Sequence, residues 1–108
     1  MNGTPHHPAS LRALRLLGAS VQAARKERRW SARELADRVG VSEKTMAKVE
    51  RGEPGVAIAT YLDAAALTGV PIFSADEQDI RAEQSRLEGR LALLPSRIDR
   101  PRRVRNDF

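Results

Sequence analysis

Residues 32–51 read ARELADRVGVSEKTMAKVER, and no other stretch of the chain leaves so few folds open. Two short amphipathic segments meet at a glycine. Leu35, Ala36 and Val39 fall on one side of the first, Met46 and Val49 on one side of the second, and Val41 lies between them. Gly40 stands at the turn, where a left-handed backbone is least strained without a Cβ. Ala36 is small, as a close crossing of the second helix requires. Ser31 with Glu34 makes an S-x-x-E capping box. Ser42 predicts the cap of the second helix, and Gly52 its end, before a Glu53-Pro54-Gly55 loop. The positions left outside on the second helix are Glu43, Lys44, Ala47, Lys48 and Arg51. They are polar, small or cationic, as a surface inserted into a DNA major groove must be.

The flanking sequence is also helical in pattern. Leu11, Leu14, Leu17, Val21 and Ala24 recur at three- and four-residue steps. Ser10 predicts the cap of that helix, and Gly18 inside the pattern predicts a split into a short leading piece and a main one. Ile58, Leu62, Ala65 and Ala66 predict a further helix ending near Thr68-Gly69. Residues 70–73 read as an extended link. Ser74 with Glu77 repeats the capping-box pattern and opens a helix expected to run to Pro95. No strand pattern and no internal repeat stands out. The expected class is all-α, organised as a disordered N-terminus (1–9), a helix-turn-helix domain (10–73), a C-terminal helix (74–94) and an Arg-rich tail (95–108). His6 and His7 fall in the first segment, which offers no rigid setting for a metal or for catalysis.

Charge narrows the partner. The 108 residues carry a formal net charge of +5. Residues 25–51 hold nine basic and five acidic groups, and residues 95–108 five arginines and two aspartates, around a mildly acidic middle. Two basic zones point to a polyanion, with an anionic lipid surface as the second choice. The chain has no Cys, which excludes disulfides and thiolate zinc sites and fits a reducing, cytoplasmic setting. Aromatics are 4%, too few for a large aromatic ligand pocket. No apolar run approaches the ~20 residues of a membrane span, and no secretory signal pattern opens the chain. No nucleophile–base pair, phosphate-binding glycine loop or metal-ligand cluster is present, so neither enzyme activity nor a cofactor is expected.

Residues 17–72, with VQAARKERRWSARELADRVGVSEKTMAKVERGEPGVAIATYLDAAALTGV as the carrying stretch, resemble the Cro/C1-type (Xre) helix-turn-helix family. The resemblance implies a five-helix, lambda-repressor-like DNA-binding domain, the second and third helices reading DNA, and a homodimer on palindromic operators. It also implies that Arg25 on the first helix pairs with Glu50 at the end of the third. The chain departs from the family at Ala32, where a glutamine often contacts phosphate, and at Trp30, which replaces an aliphatic residue and is expected to pack at the core or its rim. The LRLLG lead-in, the RGEPGV loop and the tail LLPSRIDRPRRVRNDF are similar to HipB-like regulators. That likeness implies an antitoxin partnered with a HipA-like kinase toxin.

Roles follow from the chemistry of DNA. Affinity comes mainly from cations at phosphates, and specificity from groups at base edges. Ser42, Glu43, Lys44, Ala47 and Lys48 are the candidate base contacts. Lys44 is suited to guanine and Glu43 to cytosine. Ser31, Arg33, Thr45, Arg51, Arg28 and Arg29 are the candidate phosphate contacts. In the last helix Ile80, Gln84, Leu87, Leu91 and Leu94 are spaced 4, 3, 4, 3 as a coiled-coil seam; over only two heptads, dimerisation and packing on the chain's own domain fit it equally. Glu83 with Arg90 on one flank and Arg81 with Glu88 on the other attract only in an antiparallel pair.

Overall fold

The structure, a computed structural model, describes residues 5–98. Within them lie five helices: α1 (Pro8–Glu27), α2 (Ala32–Val39), α3 (Glu43–Arg51), α4 (Ile58–Thr68) and α5 (Glu77–Leu93). The described residues contain no strand, so the all-α expectation holds. The chain divides into two units, Met1–Ala75 and Asp76–Phe108. The first carries α1 to α4 and the second carries α5.

α1 starts earlier than Ser10. His7 caps it, its Nδ1 accepting from the Ala9 N–H at 3.0 Å, and Pro8 takes the first helical position, where a missing N–H costs nothing. The expected disordered segment 1–9 therefore ends in a helical turn, and its first four residues lie outside the described range. Nor does Gly18 split α1, which runs unbroken for 20 residues. A Cβ at Gly18 would stand 2.3 Å from the Val49 carbonyl oxygen. The glycine is there because α3 crosses at that point. Gly52 answers it from the other side. Its φ of +73° closes α3, and a Cβ there would fall 2.6 Å from the Arg15 Cα.

The core of this unit is Val21 from α1, Leu35 and Ala36 from α2, Met46 and Val49 from α3, and Tyr61, Ala64 and Ala65 from α4. Each large apolar side chain so buried contributes roughly 1.5–3 kcal/mol. α1 packs on α3 and α4, and α2 packs on the same two. Ser31 and Glu34 form the expected capping box, and Gly40 closes α2 at φ +89°. Ser42 caps α3 by accepting from the Thr45 N–H at 3.0 Å.

α4 is rotated from its expected phase. Ile58, Leu62 and Ala66 face outward, Ile58 with 74% of its surface exposed, while Tyr61, Ala64, Ala65 and Thr68 are buried. Two alanines let α4 approach closely. The polar tips among the buried residues are satisfied: the Tyr61 hydroxyl donates to the Glu53 carbonyl at 2.6 Å, and the Thr68 hydroxyl to the Ala64 carbonyl at 2.7 Å. Burial pushes the Tyr61 phenol above its ordinary range, with Glu53 adding to it, so it stays a neutral donor.

In the second unit Asp76, not Ser74, caps α5, accepting from the Gln78 N–H at 2.9 Å. A carboxylate just ahead of a helix whose first turn holds Glu77 and Asp79 suits the positive end of the dipole. The helix stops at Leu93. Leu94 is extended (φ −89°, ψ 150°) because Pro95 disfavours helical geometry in the residue before it. Leu94 therefore drops out of the expected seam, leaving Ile80, Gln84, Leu87 and Leu91 on α5. No residue of α5 is buried. Of the Arg-rich tail, residues 99–108 lie outside the described range.

Candidate nucleic-acid interface

The two short helices are held by their ends as well as by their cores. α2 begins in a reciprocal cap: the Glu34 N–H donates to Ser31 Oγ and the Ser31 N–H to the Glu34 carboxylate, both at 3.0 Å. Those bonds from Ser31 hold the Glu34 carboxyl below the usual glutamate range. After Gly40, the Gly40 and Val41 N–H groups both return to the Ala36 carbonyl, at 2.8 and 3.0 Å, and turn the chain into Ser42. The turn between α2 and α3 is thus fixed by backbone bonds and by one left-handed glycine.

The far end of α3 is tied to α1 by charge. Arg25 Nε donates to one Glu50 carboxylate oxygen at 2.6 Å and Nη2 to the other at 2.9 Å, while Nη1 donates to the Trp30 carbonyl at 2.8 Å. The side chains keep only 10% and 6% of their surface. The fork-to-fork bonds with Glu50 raise the Arg25 pKa further, outweighing the opposing effect of burial. The two side chains are therefore paired through two bonds and largely out of water.

What remains outward on α3 is the face read from the sequence. Glu43 and Lys44 are exposed on its first turn, and Ala47 and Lys48 are half-buried one turn on. Ser42, also exposed, is occupied: besides accepting from Thr45 N–H, its hydroxyl donates to the Thr45 hydroxyl at 3.0 Å. Its single proton is used, whereas the Ser31 hydroxyl only accepts, from the Glu34 N–H, and keeps its own proton. Arg33 and Arg29 are exposed. Arg29 adopts φ +60°, which swings the chain from α1 toward Trp30. Arg51 is exposed and pairs with Glu53 at 2.7 Å.

Arg28, a candidate phosphate contact, is exposed and also bonds within the fold. Its Nε donates to the Thr68 carbonyl at 3.2 Å, a cation set on the C-terminal end of α4. Its guanidinium also lies 5.5 Å from the centroid of the Trp30 ring. Arg38, which the sequence reading did not single out, stands over the same ring at 4.2 Å. Trp30 packs against the core and takes two guanidinium groups at its ring. A tryptophan eight residues before an arginine has no helical spacing to betray the contact, because a turn lies between them.

Among the described residues no cluster of His, Asp or Glu is grouped to hold a metal ion, and no helix is long and apolar enough to cross a membrane. No curated protein and no solved structure matches the chain significantly. A family model described as a helix-turn-helix domain matches residues 16–76, more than half of the chain and all of α2 to α4. With its five helices and its capped α2–α3 pair, the chain belongs to the helix-turn-helix domain family.

Proposed function

We propose that the protein is a sequence-specific DNA-binding transcriptional regulator, a repressor that binds palindromic operator DNA as a homodimer. The observation that carries this is the outward face of α3, with Glu43, Lys44, Ala47 and Lys48 presented by a helix capped at both ends and clamped to α1. A helix of that width fits the major groove, where Lys44 donates to guanine and Glu43 accepts from cytosine. Arg33, Arg29 and Arg51 supply phosphate contacts. Arg51 exchanges its exposed carboxylate partner for phosphate, and the Thr45 hydroxyl, which accepts from Ser42, has its own proton for a phosphate. Arg28, exposed although its Nε is bonded to the Thr68 carbonyl, and Ser42, exposed although its hydroxyl is shared with Thr45, complete the candidate contacts.

One α3 reads too few base pairs for a unique site, so two copies are needed. α5 provides the contact in this reading: it buries nothing of its own, and Leu87 and Leu91 are exposed. An antiparallel pair sets Ile80 against Leu91 and Gln84 against Leu87. Within one chain Glu83 already pairs with Arg86 and Arg81 with Glu77. The charges across such a seam therefore compete with intrahelical partners and set direction more than strength. Selection from a random-sequence duplex library, followed by footprinting, tests the proposal. The expected product is an inverted repeat with half-sites about 34 Å apart. Enrichment of no sequence would remove it.

A second reading is an antitoxin that neutralises a HipA-type kinase. The exposed leucines favour it, since Leu93 and Ile98, beside Leu91, keep most of their surface on and beyond α5. Deleting residues 95–108 separates the two. A regulator alone keeps specific DNA binding, whereas an inhibitor acting through the tail loses its partner.

A further inference from the structure

α1 has two flanks of opposite character. Ala13, Leu16 and Ser20 line an apolar groove with residues 70–72. The other flank carries Arg12, Arg15, Gln22 and Lys26. Arg15, Gln22 and Lys26 are spaced seven and four residues apart, which stacks them in one row along the helix, and Arg12 sits one turn before Arg15. Arg12, Arg15 and Lys26 are exposed, and Gln22 is half-buried. Ala19, exposed on the same flank, leaves the row open.

This polar flank is the one that meets the end of α3. A Cβ on Gly52 would touch both the Arg15 Cα and its N at 2.6 Å, so the Arg15 backbone lies directly against the residue that follows Arg51. Arg15 and Arg51 are therefore neighbours across a glycine. Arg51 has Glu53 as a partner, but Arg12, Arg15 and Lys26 form no ion pair among the described residues. Residues 1–24 contain no acid, and the first carboxylate on α1 is Glu27.

We propose that the Arg12–Arg15–Lys26 row of α1 is a second contact surface for the DNA phosphate backbone, continuous with Arg51 and extending the footprint beyond α3. The inference rests on the reading of α3 as a DNA-binding helix. As phosphate contacts, these guanidinium and ammonium donors add affinity without sequence preference.

The test uses the full chain and a fluorescein-labelled 20-base-pair duplex of mixed sequence, with binding followed by anisotropy between about 50 and 200 mM salt. The Arg12→Gln/Arg15→Gln variant is expected to melt like the parent, because both side chains are exposed. The slope of log K against log salt is expected to shrink by about two. Position is read separately. The chain lacks cysteine, so Ala19→Cys carries an azidophenacyl photocrosslinker on the cationic flank and Leu16→Cys carries it on the apolar one. Crosslinking from position 19 and not from 16 supports the proposal. An unchanged slope, or crosslinking from 16 alone, overturns it and leaves the α3 reading standing. A parent chain that does not bind duplex at any salt overturns the α3 reading itself.

Discussion

Arg25 is the residue on which the geometry of the interface turns. Its guanidinium spans α1, Trp30 and the last turn of α3, and it is buried with its counterion. Removing one member of such a pair leaves an uncompensated charge, so Arg25→Ala is expected to cost about 3–5 kcal/mol. Arg51→Ala breaks an exposed pair and is expected to cost under about 1 kcal/mol. Chemical denaturation of the two variants beside the parent checks the contrast, and equal losses would show that burial of the Arg25 pair carries no special weight. The pairing was legible only through family resemblance. Two charges 25 positions apart share no periodicity, and only the crossing of α1 and α3 brings them together. The cation–π contacts of Trp30 were not legible at all, for the same reason.

Elements were legible where a local signal decides them. Capping boxes, left-handed glycines and apolar spacing are local, and α2 and α3 follow them closely. The local signal misleads where tertiary contact overrides it. Gly18 looks like a break because glycine is a poor helix former, yet it is kept for the crossing with α3. The two views give opposite signs for Gly18→Ala. Propensity alone predicts a gain of ~1 kcal/mol. The 2.3 Å approach to a carbonyl oxygen predicts a loss of about 1–3 kcal/mol, since backbone must move. Thermal melts decide, and a more stable variant would contradict the crossing. α4 was misphased because Leu62 and Ile58 outweigh alanine on any hydrophobicity scale, whereas packing prefers the small face and a tyrosine with a partner. The α2 cap gives a pH signature. Glu34 is held below the ordinary glutamate range in the folded chain, so its stabilising effect is whole above that range and is lost as pH falls through its folded value. Glu34→Ala is expected to be less stable than the parent at pH 7, with the gap closing in acid-dependent melts as pH falls below the ordinary glutamate range.

At the scale of the whole molecule, the chain is a four-helix unit that presents one capped helix, followed by a helix that buries none of its own residues. The class and the outward face of α3 were readable from twenty residues. Assembly was not, because an apolar row on a lone helix serves a second copy or another protein equally well. If α5 pairs antiparallel, Glu83→Arg weakens the dimer at two contacts related by symmetry, and Arg90→Glu added to it restores attraction. Sedimentation equilibrium at low salt reads this, and a double variant no tighter than the single one would take α5 out of the interface. The central claim is that α3 reads base edges while the cations around it hold phosphate. It is tested most directly by anisotropy titrations of the parent, Lys44→Ala and Arg33→Ala on a selected operator and on mixed-sequence duplex. Lys44→Ala is expected to lose roughly 1–3 kcal/mol on the operator and little on the mixed duplex, while Arg33→Ala weakens both alike and lowers the salt slope by about one. Operator binding by Lys44→Ala as tight as the parent's would contradict the account.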